Sequence, residues 1–250
     1  MTDIHSHILP HIDDGAANTH QSQELLAEEQ RQGVNRIVFT PHFYPEKIEM
    51  NRFLTFRNAA YADIIAKGII PKGIKTALGA EVHFSPALAH MDTEKLTLGD
   101  TGYLLLELSY RQRPIFLKQV VSSLDNRGIT PIIAHVERYP YVLSDPTLLY
   151  EWVNLGCALQ VDADSLFIDH KLTDFILKCI KWNLVQVIAS DTHSMDKRPP
   201  QLKDAYKLIS KKLGREYAKR LAENADNIFA GVQIDYIEPH MPRKFLGKWI

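Results

Sequence analysis

Thr2-Asp3-Ile4-His5-Ser6-His7, followed shortly by Asp13-Asp14-Gly15, opens the chain and sets the reading of what comes after it. On an extended segment, side chains alternate between faces, so His5 and His7 point the same way. Two neutral imidazoles side by side suit a divalent metal ion. Asp13 and Asp14 bring carboxylates into reach from a turn that ends in glycine. Taken alone, the pair is matched by a plain alternative, a polar N-terminus where two of the eleven histidines fell together. Later strands decide between the two.

Outward from this stretch, short apolar runs alternate with amphipathic ones. The strands are predicted at Thr2–His5, Arg36–Thr40, Lys75–Val82, Tyr103–Leu108, Pro131–His135, Ala158–Asp162 and Val185–Ser190. Helical patterns fill Gln21–Gln32, Phe53–Lys67, Ile115–Arg127, Pro146–Leu155, Leu172–Trp182 and Pro200–Leu213. In the second, Phe53, Phe56, Ala59, Ala60 and Ile64 come close to a 3.6-residue period. Most of these helices stop at a glycine (Gly33, Gly68, Gly128, Gly156, Gly214). Helix, glycine and apolar strand in repetition read as β/α units around a parallel sheet. Seven strands suit a closed or nearly closed barrel better than an open doubly wound sheet. No glycine-rich phosphate loop favours the open form.

The residues that end the strands are the informative ones. Val38-Phe39-Thr40-Pro41 runs into His42, Gly79-Ala80 into Glu81, Leu105-Leu106 into Glu107, Ile133-Ala134 into His135, and Ala189-Ser190 into Asp191-Thr192-His193. In α/β barrels the carboxyl ends of the strands form the functional rim, so these side chains converge on one mouth. A single histidine there is as well explained by a satisfied polar group at a strand end. Five strands ending in His, Glu or Asp, with His5 and His7 beside them, predict a metal cluster with ligands for more than one ion.

Composition bounds the rest. The 250 residues are 45% hydrophobic and 24% charged with a net charge of −1, enough for a sizeable core and too neutral for bulk nucleic-acid binding. The two cysteines, Cys157 and Cys179, lack paired spacing and predict a reducing compartment. No membrane-spanning run or leader pattern is read, so the expectation is a cytoplasmic protein.

The motifs His5-Ser6-His7, Asp13-Asp14-Gly15, Thr40-Pro41-His42, Gly79-Ala80-Glu81, Ala134-His135-Val136-Glu137-Arg138-Tyr139, Ser190-Asp191-Thr192-His193 and Arg198-Pro199-Pro200 stand in one order. In that order the chain resembles the polymerase-and-histidinol-phosphatase (PHP) superfamily over about residues 1–235. Within it the resemblance is to the bacterial manganese-dependent protein-tyrosine phosphatases of capsule and exopolysaccharide clusters. It implies a distorted PHP-type (β/α) barrel of about seven strands and three divalent ions, manganese before iron or zinc. His5, His7, Glu81 and Asp191 would hold the first ion. Glu81 would bridge to a second completed by Glu107 and His135, and Asp14, His42 and His193 would hold the third. Arg138 and Arg198 would grip the phosphoryl group with planar forks.

The implied substrate is phosphotyrosine on a membrane-associated bacterial tyrosine kinase controlling polysaccharide synthesis, and assembly of copies is a further implication. His11 and Lys197 depart from a pattern that commonly has glycine at both places. The cysteine route to tyrosine dephosphorylation, Cys followed by five residues and Arg, is excluded: Ala163 and Val185 occupy those positions. A small-molecule phosphatase of the histidinol-phosphate type is the runner-up, and a non-catalytic metal-binding regulatory module is a second alternative. The phosphatase domain is expected over residues 1–238. Residues 239–250 form a basic and apolar tail, either docked or disordered or else touching a membrane-associated partner.

Overall fold

Parallel strands do form from the apolar runs in the computed structural model, which describes residues 1–235 and 237–249. In chain order the elements are β1 (Thr2–Ser6), α1 (Thr19–Gln32), β2 (Arg36–Phe39), β3 (His42–Phe43), α2 (Met50–Ala66), β4 (Lys75–Leu78), β5 (Glu81–His83) and β6 (Tyr103–Glu107). There follow α3 (Leu117–Asp125), β7 (Thr130–Ile133), α4 (Pro140–Ser144), α5 (Thr147–Asn154), β8 (Ala158–Asp162), α6 (His170–Lys181), β9 (Val187–Ala189), α7 (Leu202–Lys212) and α8 (Arg215–Ala230). A small antiparallel hairpin, β10 (Lys244–Phe245) with β11 (Lys248–Trp249), lies in the tail.

The strands make two parallel sheets, β1-β2-β4 and β3-β5-β6-β7-β8-β9. Two of the predicted strands are each cut in two. Arg36–Thr40 ends at Phe39 and resumes at His42, because Pro41 has no N–H for the ladder. Lys75–Val82 breaks at Gly79-Ala80, where a side chain on Gly79 would collide with Leu98 at 2.7 Å. The break leaves register intact: Phe39 faces Leu78 and His42 faces Glu81, the same stagger on both sides. Counted by chain direction, β2/β3 and β4/β5 are single strands, and seven remain. Between β9 and β1 the ring is joined by a Ser6–Thr192 bridge, with His7 N–H donating to Thr192 O at 2.9 Å and Asp191 N–H to His5 O at 2.9 Å. The result is a curled, distorted barrel.

Alternation along the strands assigns the interior. Tyr103 and Leu105 of β6, Ile132 of β7, Ala158 of β8 and Val187 and Ala189 of β9 pack inside with Val38. Leu104, Leu106, Ile133, Leu159 and Ile188 point outward against the helices. On the inward face the next positions toward the carboxyl ends are Glu107, Gln160 and Asp162, so the barrel is apolar at its base and polar at its mouth. β1 departs from strict alternation. Its register slips between Asp3 and Ser6, and this bulge lets Ile4 fill the interior while His5 and His7 both reach the mouth.

Capping explains the early starts of two helices. Glu49 accepts from Arg52 N–H and starts α2 earlier than expected; Asp169 accepts from the Lys171 and Leu172 amides and does the same for α6. The buried stripe of α2 is Phe53, Leu54, Arg57 and Ile64. Phe56 and Ala59, which the sequence period places in it, lie on the neighbouring, exposed stripe. Helix α8, unread in the sequence, buries Leu221, Asn224, Ala225 and Ile228, closes the barrel's base and ends at Gly231 in the left-handed region. In the tail, His240 N–H donates to Trp182 O and Lys178 Nζ to Trp249 O, both at 2.8 Å, so the tail runs against the end of α6. Among the described residues no helix is long and apolar enough to cross a membrane.

Candidate metal centre

All nine residues singled out as ligands stand at the mouth. Ligand atoms of His7, Asp14, His42 and His193 lie within 4.8 Å of one another, as do those of His5, His7 and Glu81, and those of His42, Glu81 and Glu107. Asp191 Oδ1 is 3.3 Å from His5 Nε2 and 3.4 Å from His7 Nε2. His135 Nε2 is 2.7 Å from Glu81 Oε1. Two features go beyond the division implied by resemblance. His7 is shared by two groups, and His42 faces Glu81 with Nδ1 (2.8 Å) and Asp14 with Nε2 (3.5 Å). Asp14 is the exposed member; the others are largely buried.

Backbone geometry helps aim these side chains. His135 (φ 34°) and Asp191 (φ 50°), each just past a strand, sit in the left-handed region, which is strained for residues with a side chain. Hydrogen bonds hold them there: His135 N–H donates to Gln160 Oε1 at 2.9 Å, and Asp191 N–H to His5 O. Gln160 also faces His5 Nδ1 at 3.2 Å and donates from Nε2 to Asp162 Oδ1 at 2.7 Å, so one amide orients the His5 imidazole and holds the His135 backbone.

Asp13 and Asp14, adjacent in sequence, do different work. Asp14 enters the cluster, whereas Asp13 Oδ2 takes His7 Nδ1 at 2.7 Å and the His42 N–H at 2.9 Å. A carboxylate behind a ligating imidazole fixes its tautomer and raises its basicity. Asp13→Ala is therefore expected to lower metal affinity by about 10- to 100-fold while every ligand remains. Metal titration of the demetallated variant checks it, and wild-type affinity would remove Asp13 from the centre.

Electrostatics favour a cation here. Burial pushes the Glu81 carboxyl up, but His42 and His5 outweigh it and hold it well below the usual range; at Asp191, His5 and His7 outweigh burial in the same way. The His193 imidazole, its Nε2 3.4 Å from Asp14 Oδ1, keeps Asp14 low. Burial opposes protonation of His135, yet the Glu81 hydrogen bond and charge raise it to about 10. Buried His193 Nε2 and Glu107 Oε2 make no hydrogen bond, and His42 Nδ1 and Glu81 Oε2, 2.8 Å apart, are not aligned for one. Unsatisfied buried donors and acceptors within the candidate groups fit metal ligation, and imidazole with carboxylate and no thiolate suits manganese, iron or zinc.

Arg138 and Arg198 flank the cluster, each about a quarter exposed. Arg138 Nε is 2.6 Å from Asp162 Oδ2, and its Nη2 donates to Asp164 at 3.0 Å. Arg198 Nη1 donates to Asp191 Oδ2 at 2.5 Å. Gln160, Asp162 and Asp164 escaped the sequence reading. The available signal was Gln160 and Asp162 sharing the inward face of an otherwise apolar strand. Cys157 and Cys179 are buried, and burial pushes the Cys157 thiol up to about 12.

Residues 1–230 match the family described as capsular polysaccharide synthesis, CpsB/CapC. The chain is 35% identical over 231 residues to the tyrosine-protein phosphatase CpsB of Streptococcus pneumoniae, covering 88% of this chain and 94% of that one. It is 33% identical to the tyrosine-protein phosphatase YwqE of Bacillus subtilis (strain 168), with 99% of both chains covered. Crystal structures of YwqE and CpsB, reported as metal-dependent tyrosine phosphatases, include a chain that superposes with a TM-score of 0.88 at 28% identity, covering 98% of this chain and all of that one. The phosphotriesterase homology protein from Escherichia coli, at 12% identity and a TM-score of 0.53, shares the fold alone.

Proposed function

The chain belongs to the CpsB/CapC family of capsular polysaccharide synthesis, and from that premise we propose that it is a metal-dependent protein-tyrosine phosphatase. The observation that carries the proposal is the mouth itself, where five imidazoles meet several carboxylates and ligand atoms of His42, His193, Glu81 and Glu107 lack hydrogen-bond partners. Three divalent ions, manganese first, fit the ligand count. His5, His7, Glu81 and Asp191 are assigned to one, Glu81, Glu107 and His135 to the next, and Asp14, His42 and His193 to the last. His42 stands between the second and third groups. When bound, such ions supply hydroxide from water near neutral pH and neutralise phosphoryl charge.

The protein's own part is positioning and charge. Phosphoryl transfer asks mainly for alignment and neutralisation of a dianion, and two guanidinium forks at the rim donate to its oxygens. Arg198 is aimed by its bond to Asp191, Arg138 by Asp162 and Asp164. A phenol pKa of ~10 makes tyrosinate a fair leaving group, so the demand for a general acid is small. The substrate is phosphotyrosine on a protein, and the target is a membrane-associated tyrosine kinase of polysaccharide export met in the cytoplasm. The chain 1–238 acts as the phosphatase domain, with 239–250 as its tail.

The test is hydrolysis of phosphotyrosine peptides beside histidinol phosphate and phosphoserine peptides. Chelation is expected to abolish phosphotyrosine hydrolysis, manganese to restore it, and iodoacetamide to leave it unchanged because both thiols are buried and protonated. Turnover by thoroughly demetallated protein, or preference for histidinol phosphate, would overturn the reading.

A further inference from the structure

A pocket of about 330 Å³ opens beside the cluster on the side of Asp14 and His42, which both line it. Ile12, Ile48, Phe53, Phe56 and the ring of Tyr44 make its remaining walls chiefly apolar, and His11, Asp13 and Lys47 also line it. Tyr44 is held in place: Lys47 Nζ lies 4.0 Å from its ring centroid, and the His42 and His83 rings stand 5.4 and 5.2 Å away. Phe56 is 47% exposed, turned away from the buried stripe of α2 and toward this space. An apolar recess with a few polar groups at one end is the usual form of a small-ligand site, and this volume is at the lower end of the range.

The arginines stand elsewhere. Arg138 lies against Asp162 and Asp164 and Arg198 against Asp191, and none of these five residues lines the pocket. A phosphate monoester that would be held by ions bound at these ligands and by the arginines has one substituent left over, its ester group. For phosphotyrosine that group is a flat hydrocarbon ring beginning at the ester oxygen. An apolar wall that starts at two of the ligand side chains is where such a ring loses contact with water. The cavity beside Arg138, walled by Leu143, Leu172 and Phe175, touches none of the nine ligand residues. Resting on the phosphatase reading above, we propose that the pocket between Ile12, Ile48 and Phe56 seats the phenyl ring of phosphotyrosine, and that Ile48 and Phe56 select aryl over alkyl phosphoesters. A phosphoserine side chain, with one methylene, would leave the recess unfilled.

Calorimetry of the manganese-loaded full chain with phenylphosphonate and methylphosphonate tests the pocket without turnover. Wild type is expected to favour the phenyl compound by about 10-fold, the scale on which apolar pockets discriminate. Phe56→Ala and Ile48→Ala should each reduce that preference to about 3-fold or less, Phe56→Leu should keep most of it, and Leu143→Ala should leave it intact. On phosphotyrosine peptides the two alanine variants should raise KM more than they lower kcat. A wild type without preference, an unchanged preference in both alanine variants, or a loss confined to Leu143→Ala overturns the assignment. Failure of wild type to hydrolyse phosphotyrosine, with the phenyl preference intact, counts against the phosphatase reading and leaves the aryl pocket standing.

Discussion

Glu81→Ala is expected to empty the centre and cost more than about 100-fold in turnover, beyond the loss usual for a residue that only supports a ligand. One carboxylate, 1% exposed, faces four imidazoles. Its Oε1 lies 2.7 Å from His135 Nε2, and its Oε2 lies 2.8 Å from His42 Nδ1 and 3.3 Å from both His5 and His7 Nε2. No other ligand side chain meets as many. Alanine would remove the anion that draws the two sides of the cluster together and leave the imidazoles facing a gap. Glu81→Gln separates charge from shape, because it keeps the size but offers one neutral oxygen. Metal content per chain and kcat on a phosphotyrosine peptide read the result. The glutamine variant should fall between wild type and alanine, and wild-type metal stoichiometry in the alanine variant would show that Glu81 bridges nothing.

Glu81 also illustrates what could be read without coordinates. A residue ending a strand in a β/α repeat has its direction set by chirality and alternation, so His42, Glu81, Glu107, His135 and Asp191 were legible as one rim. The helices with stop glycines were legible for a similar local reason. What escaped depends on contacts distant in sequence. The splitting of β2/β3 and β4/β5 follows from Pro41 and from Leu98 pressing on Gly79, neither of which periodicity reports. Helix α8 carries Leu221, Ala225 and Ile228 at helical spacing but so many charged and polar residues that the stripe is thin. The different roles of Asp13 and Asp14 hang on which of them meets His7 from behind, a matter of turn geometry. Gln160 was invisible because its value lies in the His5 imidazole and the His135 backbone N–H, both outside its own strand.

Arg138 is where chemistry and stability are entangled, and a double substitution separates them. Its guanidinium meets Asp162, which has no accessible surface, at 2.6 Å. Burial pushes the Asp162 carboxyl up, and Arg138 is the foremost group pulling it back. Arg138→Ala should therefore destabilise the fold, by about 3 kcal/mol at most, because the stranded carboxyl can take up a proton instead of remaining a bare charge. Turnover should fall as well. A lost charge-assisted hydrogen bond of about 1.5–3 kcal/mol corresponds to roughly 13- to 160-fold. Adding Asp162→Asn removes the stranded acid while keeping an oxygen for Gln160 Nε2, which donates to Asp162 Oδ1 at 2.7 Å. The double variant should regain most of the lost thermal stability at unchanged metal content, yet stay as slow on phosphotyrosine peptides as Arg138→Ala alone. Recovery of turnover together with stability would mean that Arg138 serves to neutralise Asp162 and does not touch the phosphoryl group.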